Sequence, residues 1–149
     1  MEAIIFIGIQ GAGKSTFYQE NFLNTHIGIN LDMLKTRHRE QILLRACLEA
    51  KQPFVVDNTN PTLEQRSRYV IPAKENNFRV IAYYFQADLE ECKQRNNQRA
   101  SKKNVPLIGI LSTYKKLVLP TFEEGFDVIY SVKTELNYSF IVQEWKHEF

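Results

Sequence analysis

The stretch "AIIFIGIQGAGKST", Ala3 to Thr16, decides the fold. Its first five residues are apolar without a break, as suits a strand covered on both faces. Directly after them, Gly8, Gly13, Lys14 and Ser15 satisfy G-x-x-x-x-G-K-[ST], and Gly11 adds a further flexible position inside the loop. A glycine-rich turn between a strand and a helix start brings backbone N–H groups to one point, and the helix N-terminus adds partial positive charge there. Such a turn cradles a phosphate chain. In this spacing Gly8, Gly11, Ala12 and Gly13 form the cradle and Lys14 reaches the β and γ phosphates, while the Ser15 hydroxyl ligates Mg²⁺ and Thr16 reaches the α phosphate. ATP and Mg²⁺ are the expected cofactors.

Outward from this loop, short apolar runs alternate with helix-period stretches. Strands are predicted over Ala3 to Gly8, His26 to Asn30, Phe54 to Asp57, Phe78 to Phe85 and Phe126 to Val132. Helices are predicted over Lys14 to Leu23, from about Asp32 to Lys51, over Thr62 to Asn76 with a kink at Pro72, over Asp88 to Arg99 and over Leu107 to Leu119. Ala100 to Pro106 reads as a polar loop. The tail "NYSFIVQEWKHEF" suits an edge strand and an amphipathic helix equally well. Strands alternating with helices imply a parallel sheet covered on both faces. The expectation is an α/β P-loop NTPase fold, with a parallel sheet of about five strands and helices on both faces, as one domain over residues 1–149.

Composition narrows the setting. No apolar run nears the roughly 20 residues that span a bilayer, and no leader-like segment opens the chain, so a cytoplasmic protein with no membrane partner is expected. Cys47 and Cys92 stand apart from each other and from His26, His38 and His147, which suits buried thiols better than a metal or disulfide framework. Net charge is only +2, but Cys92 to Phe122 holds seven cations and no carboxylate: Lys93, Arg95, Arg99, Lys102, Lys103, Lys115 and Lys116. A basic block on an otherwise acidic chain suits an anionic substrate or a phosphate-covering lid, and suits a solvated face about as well.

A phosphate cradle needs a partner carboxylate for the metal, and an alcohol kinase needs another to orient the hydroxyl. There are four Asp residues. Asp32 and Asp57 fall at the C-terminal ends of predicted strands, the sheet edge that also carries the loop. Asp88 is expected to cap a helix, and Asp127 follows Gly125 at a strand entrance. Asp32 also suits a helix cap before "MLKTRHRE", a role compatible with catalysis.

"DNTNP" (Asp57 to Pro61), followed by "RSRYV" (Arg66 to Val70), resembles the kinase domain of polynucleotide kinases, which phosphorylate 5′-hydroxyl ends. The likeness continues through Asn30, Leu31 and Asp32 as an N-x-D segment, "RNNQRASKKNVP" as an arginine-bearing lid and "STYKKLVLPTFEEGFDVI" as the distal helix, proline turn and last strand. It covers almost the whole chain. The resemblance implies Asp32 as general base and Lys14, Ser15 and Thr16 on ATP and Mg²⁺. It implies Arg99 on the phosphates and Arg95 near the nucleotide, while the chemistry of the site gives Asp57 to metal-bound water or to buttressing the site. Lys35 falls where a phage member has an arginine on the acceptor's backbone phosphate, and a lysine there offers a point charge without the two-pronged guanidinium. Thr59 and Asn60 shape the turn. Many members also carry a phosphatase module; no D-x-D occurs here, so that activity is absent or belongs to a separate phosphatase or ligase partner.

The implied reaction moves the γ-phosphoryl of ATP to the 5′-hydroxyl of DNA or RNA. Two other readings share the loop: a kinase for a small-molecule or tRNA-linked hydroxyl, and a non-catalytic nucleotide-dependent switch. The first has less use for a phosphate-contacting Lys35 and phosphorylates a nucleoside or metabolite as well as an oligonucleotide, and the second tolerates loss of Asp32.

Overall fold

The computed structural model describes residues 1–97, 106–135 and 139–146, the side chains of Arg95 and Asn97 excepted. In chain order the elements are β1 (Glu2–Ile7), α1 (Lys14–Asn21), β2 (Ile27–Ile29), α2 (Leu31–Leu34), α3 (Arg37–Ala50), β3 (Phe54–Val56), α4 (Leu63–Glu75), β4 (Arg79–Gln86), α5 (Leu89–Asn97), α6 (Leu107–Lys116), β5 (Val128–Thr134) and β6 (Phe140–Glu144). A 3-10 turn, Phe122–Glu124, precedes β5.

The sheet has the order β2-β3-β1-β4-β5-β6. The first five strands are parallel, and β6 closes the edge antiparallel to β5, pairing Thr134 with Phe140. The expectation of about five parallel strands therefore holds, with a sixth added by the tail, which takes the strand option of its two. Alternate residues of β1 serve opposite faces. Ala3, Ile5 and Ile7 join a core with Leu44 and Leu48 of α3 and Val70 and Ala73 of α4. Ile4 and Phe6 join a second core with Phe17 of α1, Cys92 of α5 and Ile110 of α6. This two-sided burial is why "AIIFI" carries no polar residue. Cys47 and Cys92 are both buried, one in each core.

One predicted helix is two. The stretch from Asp32 to Lys51 breaks at Lys35, whose φ of 75° lies in the left-handed region, and Thr36 restarts the chain by accepting the Arg39 N–H at 3.1 Å. The break turns α2 into a single turn at the C-terminal edge of the sheet. The helix over Pro72 continues to Glu75, with the proline in its last turn. No helix among the described residues is long and apolar enough to cross a membrane.

Candidate active site

Parallel strands put their C-terminal ends on one edge, and the register aligns three of them. Ile5 pairs with Val56 and Val56 with Ile29. The phosphate loop after β1, α2 after β2 and Asp57 after β3 consequently meet at the crevice where ligands of open α/β sheets bind.

The loop is built on backbone. Gly11 and Gly13 have φ of 83° and 95°, and a Cβ on Gly11 would stand 2.5 Å from the Cys92 carbonyl oxygen. Asn30, Thr36 and Thr62 cap α2, α3 and α4 with side-chain oxygens. Gly13 at the start of α1 has no side chain to spend on those amides, so the N–H groups of the first turn face the loop. The Gly8 N–H donates to the Thr59 carbonyl at 3.0 Å, and the Asn60 amide donates to the Phe6 carbonyl at 2.8 Å, so "DNTNP" buttresses the loop's entry. Ala12 is buried, its N–H directed to the Ile9 carbonyl at 3.3 Å. Arg66 of α4, with no exposed surface, holds that turn from behind. Its guanidinium donates to the Asn60 carbonyl at 2.9 Å, the Pro61 carbonyl at 3.1 Å, the Val118 carbonyl, and Glu124 Oε2 at 3.0 Å.

The polar groups expected at the phosphates lie together. Lys14 Nζ donates to the Gly8 and Ile9 carbonyls, both at 2.8 Å, which holds its ammonium inside the loop. Ser15 Oγ donates to Asp57 Oδ2 at 2.9 Å, and Asn30 Nδ2 approaches the same oxygen at 3.4 Å. Asp57 is only 8% exposed. Burial raises its pKa above the ordinary value and the charge of Asp32 adds to the rise, against the opposing pull of the Lys14 ammonium and the Ser15 hydrogen bond. A hydroxyl and a carboxylate at hydrogen-bond distance are hard oxygen donors of the kind Mg²⁺ takes.

Thr16 is exposed on the first turn of α1. Asp32 and Lys35 are exposed at either end of the α2 turn. Asp32 does not cap this turn: Asn30 does, its Oδ1 accepting the Asp32 and Met33 N–H groups at 2.9 and 3.3 Å. The Asp32 carboxylate is thus not spent on the helix start. Arg95 lies on α5, and Arg99 lies outside the described residues, as do Lys102 and Lys103. Asp88 caps α5 through the Glu91 N–H at 3.1 Å, and Asp127 pairs with Lys74 at 2.7 Å, so both have the structural roles expected of them.

Four side chains behind α2 escaped the sequence reading: Arg37, Glu40, Asn58 and Tyr69. Asn58 Oδ1 accepts the Leu31 N–H at 2.9 Å, and its Nδ2 donates to Glu40 Oε2 at 3.0 Å. Tyr69 Oη donates to Glu40 Oε1 at 2.9 Å, and Arg37 donates to the same oxygen at 2.9 Å. Burial first, and then the Glu40 charge, raise the Tyr69 pKa, so its hydroxyl stays a donor. Asn58 had a signal in "DNTNP"; Glu40, inside the charged run "TRHRE", reads as solvated.

A strand, a glycine loop with its lysine turned inward and a helix without a side-chain cap define a P-loop nucleotide-binding fold. The chain belongs to the AAA domain family, whose model matches residues 4–112. It is 35% identical over 156 residues to a "Putative bifunctional polynucleotide phosphatase/kinase" of Acanthamoeba polyphaga mimivirus, covering 99% of this chain and 37% of that protein. It is 30% identical over 132 residues to a bifunctional polynucleotide phosphatase/kinase of Schizosaccharomyces pombe, covering 84% of this chain and 32% of the relative. The chain spans about a third of the length of these curated relatives. Among solved structures, Chaetomium thermophilum Kti12 in complex with ADP-AlF3 aligns with a TM-score of 0.63 at 13% identity, covering 88% of each chain, a likeness of fold alone.

Proposed function

We propose that this chain is an ATP-dependent kinase that transfers the γ-phosphoryl group to the 5′-hydroxyl end of DNA or RNA. The observation that carries the reading is the meeting of two parts at one sheet edge. One is the loop with Lys14, Ser15 and Asp57; the other is the exposed Asp32 carboxylate on a turn that another residue caps. The names of the two relatives supply the acceptor class.

In this reading the loop amides, Lys14, Thr16 and Arg99 bind the phosphates of ATP, and Arg95 lies near the nucleotide. Ser15 and Asp57 are the residues that hold Mg²⁺, which when bound neutralises charge on the β and γ phosphates. Asp32 accepts a hydrogen bond from the 5′-hydroxyl and orients its oxygen towards the γ-phosphorus. A new P–O bond forms as the bond from the γ-phosphorus to the bridging oxygen breaks; the hydroxyl proton passes to Asp32 late in the transfer, and ADP leaves. Lys35, three residues on, contacts an acceptor phosphate as a point charge.

The test is transfer from labelled ATP to a panel of 5′-hydroxyl DNA, 5′-hydroxyl RNA, nucleosides and 3′-mononucleotides. Label on the 5′ end of the oligonucleotides is the expected result. Preference for free nucleosides overturns the acceptor class, and no transfer to any acceptor overturns the kinase reading.

A further inference from the structure

The four side chains behind α2 form a single hydrogen-bonded chain that ends on the backbone of the turn carrying Asp32. We infer that Asn58 is a positioning residue for this turn, and that buried Glu40, with Tyr69, fixes Asn58 in the one amide orientation that works. The inference rests on the proposed role of Asp32.

The orientation follows from donor and acceptor chemistry. The Leu31 N–H can only donate, so the Asn58 carbonyl oxygen must face it, which sends Nδ2 away from α2. On that side stand Glu40 Oε2 at 3.0 Å and Tyr69 Oη at 3.1 Å. An ionised carboxylate accepts only, so a flipped Asn58 would set oxygen against oxygen at one end and N–H against N–H at the other. Glu40 is 1% exposed and receives Arg37, Tyr69 and Asn58. A buried carboxylate with three donors is held firmly, and its lone pairs are satisfied. Arg37 and Glu40 both belong to the first turn of α3, directly after Lys35 and Thr36. Both ends of the α2 turn are therefore tied to one cluster. Asn30 adds a second tie, from the cap of α2 to Asp57.

Removing the Asn58 amide leaves the loop, Lys14 and Ser15 in place but releases the Leu31 N–H. Catalysis that needs an acceptor aligned on Asp32 loses rate when the turn shifts, and ATP binding does not. Asn58→Ala is expected to lower kcat on a 5′-hydroxyl oligonucleotide by roughly tenfold or more, with the ATP Kd within about twofold. In an Asp32→Asn background the same change should cost less than about twofold, because a turn without its base has little left to misplace. Equal losses in both backgrounds overturn the inference.

Rescue is a second arm. Glu40→Gln must oppose a donor to a donor whichever way it lies, and Asn58→Asp must oppose a carboxylate to a carboxylate. The pair Glu40→Gln with Asn58→Asp restores the order: Gln Nε2 donates to the new carboxylate, whose other oxygen accepts the Leu31 N–H. Each single variant should lose kcat and the pair should recover most of it; a pair worse than either single variant counts against the chain of bonds. Should Asn58→Ala fail to fold, Tyr69→Phe removes one hydroxyl and should give a smaller loss of kcat with the same unchanged ATP Kd; unchanged kcat overturns the inference. A third readout needs no turnover. Residue-resolved amide exchange of folded Asn58→Ala, or of Tyr69→Phe in its place, should be faster at Leu31 and unchanged in β1; unchanged exchange at Leu31 overturns the inference. An inactive parent whose Leu31 amide still loses protection in the variant would sink the kinase reading and keep the positioning role.

Discussion

Asp57 and Asp32 lie close enough for the charge of one to raise the pKa of the other, yet burial gives them opposite characters. Asp32 is exposed, and its proposed work is with an acceptor hydroxyl. Asp32→Asn keeps its shape and removes its basicity, so turnover should fall by roughly two orders of magnitude while ATP affinity, measured by calorimetry, stays within a few-fold. Parallel loss of ATP binding would make it a metal or structural residue. Charging Asp57 comes at a cost, because burial outweighs the Lys14 ammonium and the Ser15 hydrogen bond. Its folded pKa lies above the unfolded value of 3.8, so the native state binds the proton more tightly, and stability falls as pH rises through that window. Asp57→Asn should therefore raise Tm at pH 7 while activity drops, and the gain over the parent should shrink as pH falls towards 3.8. A gain that persists unchanged in acid would mean that desolvation of the charge is not its source. The position of both residues was legible in the sequence, because each follows a strand whose apolar run ends at the loop's edge of the sheet. Glu40 was not, since its burial depends on Asn58 and Tyr69, 18 and 29 residues away.

Among the elements, the phosphate loop and α2 are held by different means. Gly11 sits against the backbone of α5, so Gly11→Ala must both strain its own φ and displace the Cys92 carbonyl. A loss of about 1–3 kcal/mol in denaturant unfolding is expected, together with weakened ATP binding. The α2 turn ends at Lys35, whose left-handed backbone starts the next helix on a new axis. Lys35→Ala should raise the KM for a 5′-hydroxyl oligonucleotide by roughly tenfold and lower the salt slope of binding by about one counterion, with the ATP KM nearly unmoved. An unchanged KM and slope would remove the phosphate contact. The five parallel strands were readable as apolar runs. The break at Lys35 was not, because no glycine, asparagine or proline marks it, and a lysine pays a backbone cost there that only the packing on both sides explains.

Across the whole molecule, Arg66 ties α4, the "DNTNP" turn, the segment after α6 and the 3-10 turn into one piece. Burial lowers its pKa and Glu124 pulls the other way. Arg66→Ala removes the guanidinium from Glu124 and three carbonyls, of which Glu124 keeps the Thr121 N–H and Pro61 the Val118 N–H, and should destabilise the protein by about 3–5 kcal/mol in chemical unfolding. A loss under about 1 kcal/mol would mean that water replaces the guanidinium. The sequence marked Arg66 only through resemblance, and it left the tail undecided because "NYSFIVQEWKHEF" has apolar positions that serve either period. The tail's choice reaches the loop. Phe140 of β6 packs edge-on against Phe17 at 5.1 Å and lies against Gly13, and Thr134 Oγ1 donates to the Ala12 carbonyl at 3.4 Å. Residues among the first seventeen are thus finished by residues beyond 130. During synthesis the glycine loop leaves the ribosome before its partners and waits, its strand unpaired until β3 and β4 follow and its back uncovered until β6 docks. A nascent chain of this protein gains its grip on nucleotide only once β6 has followed the loop out of the ribosome.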